Sequence, residues 1–285
     1  GLRYSRVIGD MVFRDTDPVF VTDEIEFNNG ALTGNLNLIY KPSEKWKFDW
    51  VASSGFRNPN IDDYGKVFVK KGNMVIPNPD LTPEYAYNGE MSITWKKKRI
   101  KSTSNVYYTY LKDAIVKQDL GYSQIHEYEE VNVQTLMNSP EAYIYGYSFV
   151  MKSKLTSWLF YEESFTWQKG WDVTNNEPLG HIPPAFAKSL FKIKTGNMEY
   201  KIWGTYTRWK YIEDMNSSGV DNDELGTEEG YPSWWTLNTS LQYEVNDNFR
   251  IQLGIENILV QHYRTFASGI SAPGRNVIIS LKTKF

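Results

Sequence analysis

Residues 274–285, which read Gly-Arg-Asn-Val-Ile-Ile-Ser-Leu-Lys-Thr-Lys-Phe, decide the fold class of this chain. Side chains alternate across an extended strand, so every second residue lies on the same face. One face carries Val277, Ile279, Leu281 and Phe285, and the other carries Asn276, Ser280, Lys282 and Lys284. The stretch therefore predicts a β-strand with one face in an apolar medium and the other in a polar one, and it ends on an aromatic residue.

The same alternation with a period of two recurs through most of the chain. It is clear at residues 32–40, 46–53, 85–95, 200–207, 235–243 and 249–256, where apolar side chains alternate with polar or charged ones. Each of these segments predicts a strand with one wet and one apolar face. Residues 142–151 and 157–168 carry apolar or aromatic side chains on both faces, so their orientation stays open.

The composition limits the classes of protein to which the chain can belong. Aromatic residues make up 15% of its 285 residues, which suits a barrel with aromatic girdles at two membrane interfaces. The mean hydropathy is −0.51 and no run approaches 18 apolar residues, so no transmembrane helix is expected. The absence of cysteine excludes disulfides and thiolate metal sites. A net charge of −3 gives no reason to expect a nucleic-acid partner.

The connections between the predicted strands alternate in length. Short polar turns are predicted at residues 42–45, 97–99, 153–156, 195–197 and 246–248, and long segments at 5–30, 55–83, 119–130, 170–182, 213–233 and 260–273. About eleven strands and a stub at residues 1–4 give roughly twelve in all. Short turns at one end and long loops at the other are typical of a transmembrane antiparallel β-barrel. A soluble barrel is the alternative, but about twelve strands would leave a wide lumen lined by apolar side chains.

Three stretches carry a family resemblance. They are residues 55–59 (GFRNP) with 78–84 (NPDLTPE), residues 254–258 (GIENI), and residues 263–285 from Tyr263-Arg264 to the terminal Phe285. Together they resemble the C-terminal half of the barrel of a TonB-dependent outer-membrane receptor. The resemblance implies an all-β, 22-stranded barrel in the outer membrane of a Gram-negative bacterium, with residues 1–285 as its C-terminal portion. It also implies an N-terminal plug and transport driven by the TonB complex; neither a plug nor a coupling box is found in these residues, and we expect a fragment of a longer protein.

The resemblance also implies uptake of a scarce nutrient. Receptors of this family take iron-siderophores, haem, cobalamin or glycans. Residues 56–59 and 78–81 resemble boxes that flank a haem-ligating histidine, yet residues 60–77 contain no histidine. Ligand contacts are instead expected from the long outer loops, where six residues are candidates: Arg57, Tyr64, Tyr122, His126, Trp171 and His181. Arg57 is also a candidate for a salt bridge within the lumen, and no metal or cofactor is expected.

Two other functions stay open. A passive porin-like channel would not need the two boxes that flank residues 60–77. An outer-membrane barrel enzyme would need a Ser/His or Asp/His set, and no His-Glu-x-x-His or Gly-x-Ser-x-Gly motif is present. Glu162 and Glu163 are adjacent, so they point to opposite faces of a strand and cannot act as a carboxylate pair.

Overall fold

The computed structural model describes residues 1–12, 24–65, 67–70, 72–126, 128–217 and 219–284. Its strands are β1 (Leu2–Val12), β2 (Glu24–Ser43), β3 (Trp46–Arg57), β4 (Phe68–Lys70), β5 (Asn73–Ile76), β6 (Glu84–Lys97), β7 (Ile100–His126), β8 (Glu129–Lys154), β9 (Leu159–Asp172), β10 (Glu177–Pro178), β11 (Phe186–Thr195), β12 (Met198–Thr207), β13 (Lys210–Tyr211), β14 (Gly230–Tyr231), β15 (Trp234–Asn246), β16 (Phe249–Glu256) and β17 (Asn276–Thr283). One short α-helix, α1 (Ile61–Gly65), and two 3-10 turns (Ile212–Asp214 and Asp223–Leu225) complete the elements. None of the helices in the described part of the chain has the length and apolar character needed to cross a membrane.

Twelve strands form one continuous antiparallel path in the order β1-β2-β3-β6-β7-β8-β9-β11-β12-β15-β16-β17. Each long strand pairs with the next one along the chain, which is the topology predicted from the turn spacing. β1 and β17 are the two ends of this path. The predicted fold class, an antiparallel barrel with about twelve strands in this chain, is confirmed by this topology.

The two faces of the sheet have different chemistry. The register places the following side chains in one row across six strands: Leu38, Trp50, Met91, Val106, Tyr147 and Trp167. We call the surface that carries this row the apolar face. Leu38 is 61% exposed and Ile279 is 71% exposed, so apolar side chains lie outside any protein core. Such a face is stable only against an apolar solvent, which is what lipid provides.

The polar face is held by hydrogen bonds between neighbouring strands. Ser92 donates its hydroxyl to Asn105 over 3.0 Å, and the Thr94 and Thr103 hydroxyls are 3.0 Å apart. Tyr107 donates to Gln168 over 2.7 Å. The register also settles the segment at residues 142–151, whose orientation the sequence left open: its odd-numbered aromatics, Tyr143 to Phe149, share the apolar face.

Short turns and long loops lie at opposite ends of the sheet. We call these the turn end and the loop end. At the turn end, β11 and β12 are joined by two residues, and Gly196 takes a φ of 51° that suits glycine. All the predicted short turns lie at this end. Phe285 lies outside the described residues.

Two segments predicted as long loops are largely strand, and those predictions are wrong. Residues 5–12 and 24–30 extend β1 and β2 as a paired ladder. Asp119–Glu130 is the tip of a β-hairpin in which β7 pairs with β8 as far as His126 and Glu129, across a bulge after Asp119. β5 adds a parallel strand along β8, and Val131 and Val133 are fully buried there. The sequence of residues 119–130 is polar and contains a bulge, which interrupts the alternation with a period of two. The extension of β7 and β8 was therefore not predicted.

Candidate ligand-binding site

Two loops at the loop end of the sheet pack on each other. Tyr231, which follows the acidic loop after β12, is buried and meets the Phe266 ring edge-on with centroids 5.1 Å apart. Its hydroxyl donates to the Asn222 carbonyl over 3.0 Å. Trp234 stacks on Tyr263 with ring centroids 4.1 Å apart. These ring contacts and this hydrogen bond join the segment after β12 to the loop before β17.

Lys210 is the buried cation of this loop platform. It is only 8% exposed, and its Nζ lies over the Phe266 ring, 5.7 Å from the centroid. Burial lowers the pKa of the Lys210 ammonium; the charge of Asp214 opposes the shift, and that of Lys169 adds to it. No carboxylate of the described residues lies within salt-bridge distance of this ammonium. Burying an ammonium without an ion-pair partner costs free energy. An anionic group of a ligand beside Lys210 would offset this cost.

A cavity of about 360 Å³ lies beside Lys210, at the loop ends of β9, β11 and β12. Its lining combines basic, aromatic and acidic side chains: Lys169, Arg208 and Lys210; Trp167, Trp209 and Tyr211; Glu213 and Asp214. Basic groups attract anionic groups of a ligand, and aromatic faces give it contact area. The cavity is therefore suited to an anionic small molecule with flat or apolar parts.

The predicted site residues near β3 form a structural cluster. Arg57 bonds Asp63 over 2.6 Å and Glu84 over 2.5 Å. Partial burial lowers the pKa of the Arg57 guanidinium, but Glu84 and Asp63 outweigh it and leave the pKa raised. Tyr64 is 1% exposed and donates its hydroxyl to the Leu81 carbonyl over 3.1 Å. These contacts join α1 to the sheet and leave Tyr64 almost no surface for a ligand.

The other four predicted site residues form two groups. Tyr122 and His126 lie near the tip of the β7–β8 hairpin, where Tyr122 is 51% exposed. Trp171, near the end of β9, pairs with Pro178, which lines the cavity. His181 is exposed and precedes Ile182, another lining residue. The structure therefore brings Trp171 and His181 to the edge of the cavity and leaves Tyr122 and His126 on the hairpin.

Sequence reasoning missed the lining residues Arg208, Trp209, Lys210 and Tyr211. Their alternation of cationic and aromatic side chains, directly after a strand, was the available signal. The long segment predicted at residues 213–233 contributes two further lining residues, Glu213 and Asp214. In the described part of the chain, no group of three or more histidine or carboxylate side chains could hold a metal ion.

Comparison with known proteins identifies the family. The model of the TonB dependent receptor-like β-barrel family matches residues 1–258. The chain is 23% identical to lactoferrin-binding protein A of Neisseria meningitidis serogroup B over 88% of the chain and 31% of that protein. It is 22% identical to the iron-regulated outer membrane virulence protein of Vibrio cholerae serotype O1 over 84% and 37%, respectively.

Solved structures show the same fold. The copper transporter OprC superposes with a TM-score of 0.76 at 13% identity, over 92% of this chain and 40% of that one. The ferric enterobactin receptor of Pseudomonas aeruginosa gives a TM-score of 0.73 at 14% identity, over 92% and 42%. The chain spans about a third of the length of the curated relatives that it matches. With its twelve-stranded path and its apolar outer face, the chain belongs to the TonB-dependent receptor β-barrel family of the Gram-negative outer membrane.

Proposed function

We propose that this chain is the barrel portion of a receptor that takes up a scarce nutrient, an iron-siderophore, haem or a similar ligand, across the outer membrane. The observation that carries this proposal is the cavity beside Lys210, because it places a buried cation among aromatic rings at the loop end of a barrel of this family. The ligand binds from the extracellular side. The TonB complex drives its uptake through a plug contributed by other parts of the receptor.

The ligand contacts that we propose follow from this placement. Lys210 and Arg208 attract an anionic group, and Trp209 provides a ring face beside them. Trp171 and His181 stand at the edge of the same cavity, and Tyr122 and His126 extend the binding surface along the hairpin. Arg57 and Tyr64 support the outer structure, as their salt bridges and burial indicate.

The test is Lys210→Met in the full-length receptor, with uptake measured for a panel of iron-siderophores and haem. Loss of one charge-assisted contact should weaken uptake of the accepted ligand by about tenfold or more. Lys117→Met is the matched control, since Lys117 also lies over a ring, that of Phe68 at 5.3 Å, but outside the cavity. Unchanged uptake in Lys210→Met, with normal amounts of receptor in the membrane, would refute the cavity as the binding site.

Two alternatives are distinguished by energy dependence and chemistry. A passive porin would continue to admit the ligand after a protonophore collapses the inner-membrane potential, whereas a TonB-driven receptor would stop. A barrel enzyme would convert its ligand during incubation with purified receptor. We expect uptake that depends on the potential and a ligand that is recovered unchanged.

A further inference from the structure

The apolar face carries an acidic residue, Glu163, among its apolar side chains. Glu163 in β9 lies in register with Met151 in β8 and Ser189 in β11, and Ser189 in turn with Gly204 in β12. This row belongs to the apolar face, while the neighbouring Glu162 lies on the polar face and bonds Lys192 over 3.3 Å. An ionisable residue that faces lipid is costly and marks a functional site by default.

Only one of the two oxygen atoms of the Glu163 carboxylate accepts hydrogen bonds from the described residues. The Tyr161 and Ser189 hydroxyls both donate to its Oε2 atom. No described residue donates to Oε1. No basic residue stands in the three rows around it on this face: Ser153, Tyr161, Phe191, Ile202; Met151, Ser189, Gly204, Leu237; Phe149, Phe165, Ala187, Tyr206. The described residues of this face therefore leave Oε1 open to a cation or donor from outside them.

A shallow groove leads away from this carboxylate. Ala187 lies between Phe165 and Tyr206 in the row above, and both rings are substantially exposed. Gly204 presents no side chain, and a Cβ built there would approach only the Thr236 carbonyl oxygen, at 3.8 Å. Neighbouring strands are about 4.8 Å apart, so the Phe165 and Tyr206 rings stand about 10 Å apart with only the small Ala187 side chain between them, and Gly204 leaves space beside Ser189.

The depth of Glu163 suits a lipid headgroup. It stands four residues beyond Leu159, the first residue of β9. At a rise of about 3.3 Å per residue and a tilt of about 45°, this corresponds to about 9 Å from the turn end. β9, β11 and β12 are near the middle of the twelve-strand path, so strands that complete the barrel beyond β1 or β17 would not cover this surface.

We propose that Glu163, Tyr161, Ser189 and the groove at Gly204 bind a phospholipid whose headgroup carries a primary ammonium. The ammonium donates to Oε1, and one acyl chain lies in the groove between Phe165 and Tyr206. A second copy of this chain is a poorer occupant, because a twofold interface on this patch would bring two Glu163 carboxylates together with no basic residue. The site depends on membership of the family and is independent of the proposed uptake function.

The experiment uses the full-length receptor in nanodiscs that contain equal amounts of dioleoyl-phosphatidylethanolamine and dioleoyl-phosphatidylcholine. The two lipids carry the same charges, but the trimethylammonium of the second cannot donate a hydrogen bond. Native mass spectrometry counts the lipids retained on the receptor. We expect the wild type to retain phosphatidylethanolamine about fivefold over phosphatidylcholine, the ratio that one modest hydrogen bond supplies.

Two variants test the two halves of the site. Glu163→Gln should remove the preference, while the matched control Glu162→Gln, on the opposite face, should keep it. Gly204→Leu fills the groove and should lower retention with the carboxylate intact, which keeps the test valid if Glu163→Gln inserts poorly. A wild type without preference, or a preference that survives both variants, would overturn the proposal.

Two further results would also overturn it. One is an infrared band of a protonated carboxyl that disappears in Glu163→Gln, because a neutral acid needs no ammonium partner. The other is capture of a protein instead of a lipid by a photo-reactive residue placed at Phe165 in cells, because the occupant would then be a protein.

Discussion

Leu253 and Gln252 are neighbours in β16 whose side chains enter different media. Leu253 pairs with Leu241 and Ile279 on the apolar face, whereas Gln252 lies on the polar face. Leu253→Arg should destabilise the receptor by about 2–4 kcal/mol if this position faces the centre of the bilayer, because the guanidinium enters hydrocarbon. Gln252→Arg should have a much smaller effect. Urea unfolding of the full-length receptor in lipid vesicles measures both, and equal losses would contradict this orientation.

The charge of Lys210 gives binding a dependence on pH. Burial lowers the Lys210 pKa, so the ammonium loses its proton at a lower pH than an exposed lysine does. Because the folded-state pKa lies below the unfolded one, the charge of Lys210 opposes folding of the loop. This cost is full below the folded pKa, declines as the pH rises through it, and is gone above the unfolded pKa. Affinity for an anionic ligand should change in the opposite sense and fall over the same range.

Lys210→Arg provides the comparison, since arginine stays charged. Binding of haem or a ferric siderophore to the purified full-length receptor, titrated from about pH 7 to about pH 10, should weaken at the alkaline end in the wild type and hold in the variant. Parallel profiles for the two proteins would show that Lys210 does not carry the titration.

Among the strands, alternation with a period of two predicted the parts that lie in the membrane. It did not predict the parts of the strands that extend beyond the membrane. Strands such as β3 and β16 have one lipid-facing side, so apolar and polar residues alternate and can be counted. The distal part of β8 pairs in parallel with β5, a strand of four residues whose partners lie 59 positions away along the chain. The burial of Val131 and Val133 in β8 arises from the contact with β5, so no local sequence pattern predicts this part of the strand.

The tip of the β7–β8 hairpin should be dispensable for insertion and required for uptake. Replacing residues 120–128 with a two-residue turn should leave barrel insertion intact, because the tip lies beyond the pairing of β7 and β8 with the membrane strands. Uptake should be lost if Tyr122 and His126 contact the ligand. Heat-modified electrophoretic mobility of the full-length receptor reports insertion, and labelled ligand reports uptake.

The matched change at the turn end is deletion of residues 246–248. There the Asn246 side chain accepts from the Asn248 amide over 3.0 Å, next to a bulge that sets the register of β15 and β16. This deletion should damage folding. Normal insertion after it, or uptake that survives the loss of the hairpin tip, would contradict the roles assigned to these two ends.

In the sequence pattern, Phe285 follows Thr283, the last residue of β17, by two positions and so continues the alternation of Val277, Ile279 and Leu281. Its deletion should lower the amount of receptor inserted in outer membranes of cells, while refolding of the purified receptor in detergent changes little. A quantitative blot of outer-membrane fractions measures the first, and a refolding time course the second. Equal insertion in cells with and without Phe285 would remove the assembly role.

At the scale of the whole molecule, both proposed sites are assembled from distant segments. The cavity joins β9 to the loop after β12, and Lys210 also rests on Phe266, 56 positions later in the chain. Glu163 could be assigned to one face or the other only after its pairing with Met151 and Ser189 was known, because both faces of residues 157–168 carry apolar side chains. Fold class followed from local alternation, whereas the sites depend on register and loop packing.

The two end strands of the twelve-strand path are not paired with each other. The path ends at β1 and β17, and the chain covers 40–42% of the length of the solved barrels that it resembles. A closed barrel leaves no edge with unpaired backbone groups, so further strands should stand between β1 and β17 in the full-length receptor. Cysteines placed at Tyr4 and Ile279 should therefore fail to form a disulfide. Cysteines at Leu253 and Ile279, which are direct partners in β16 and β17, should crosslink. A disulfide between Tyr4 and Ile279 positions would instead show that these twelve strands close on themselves.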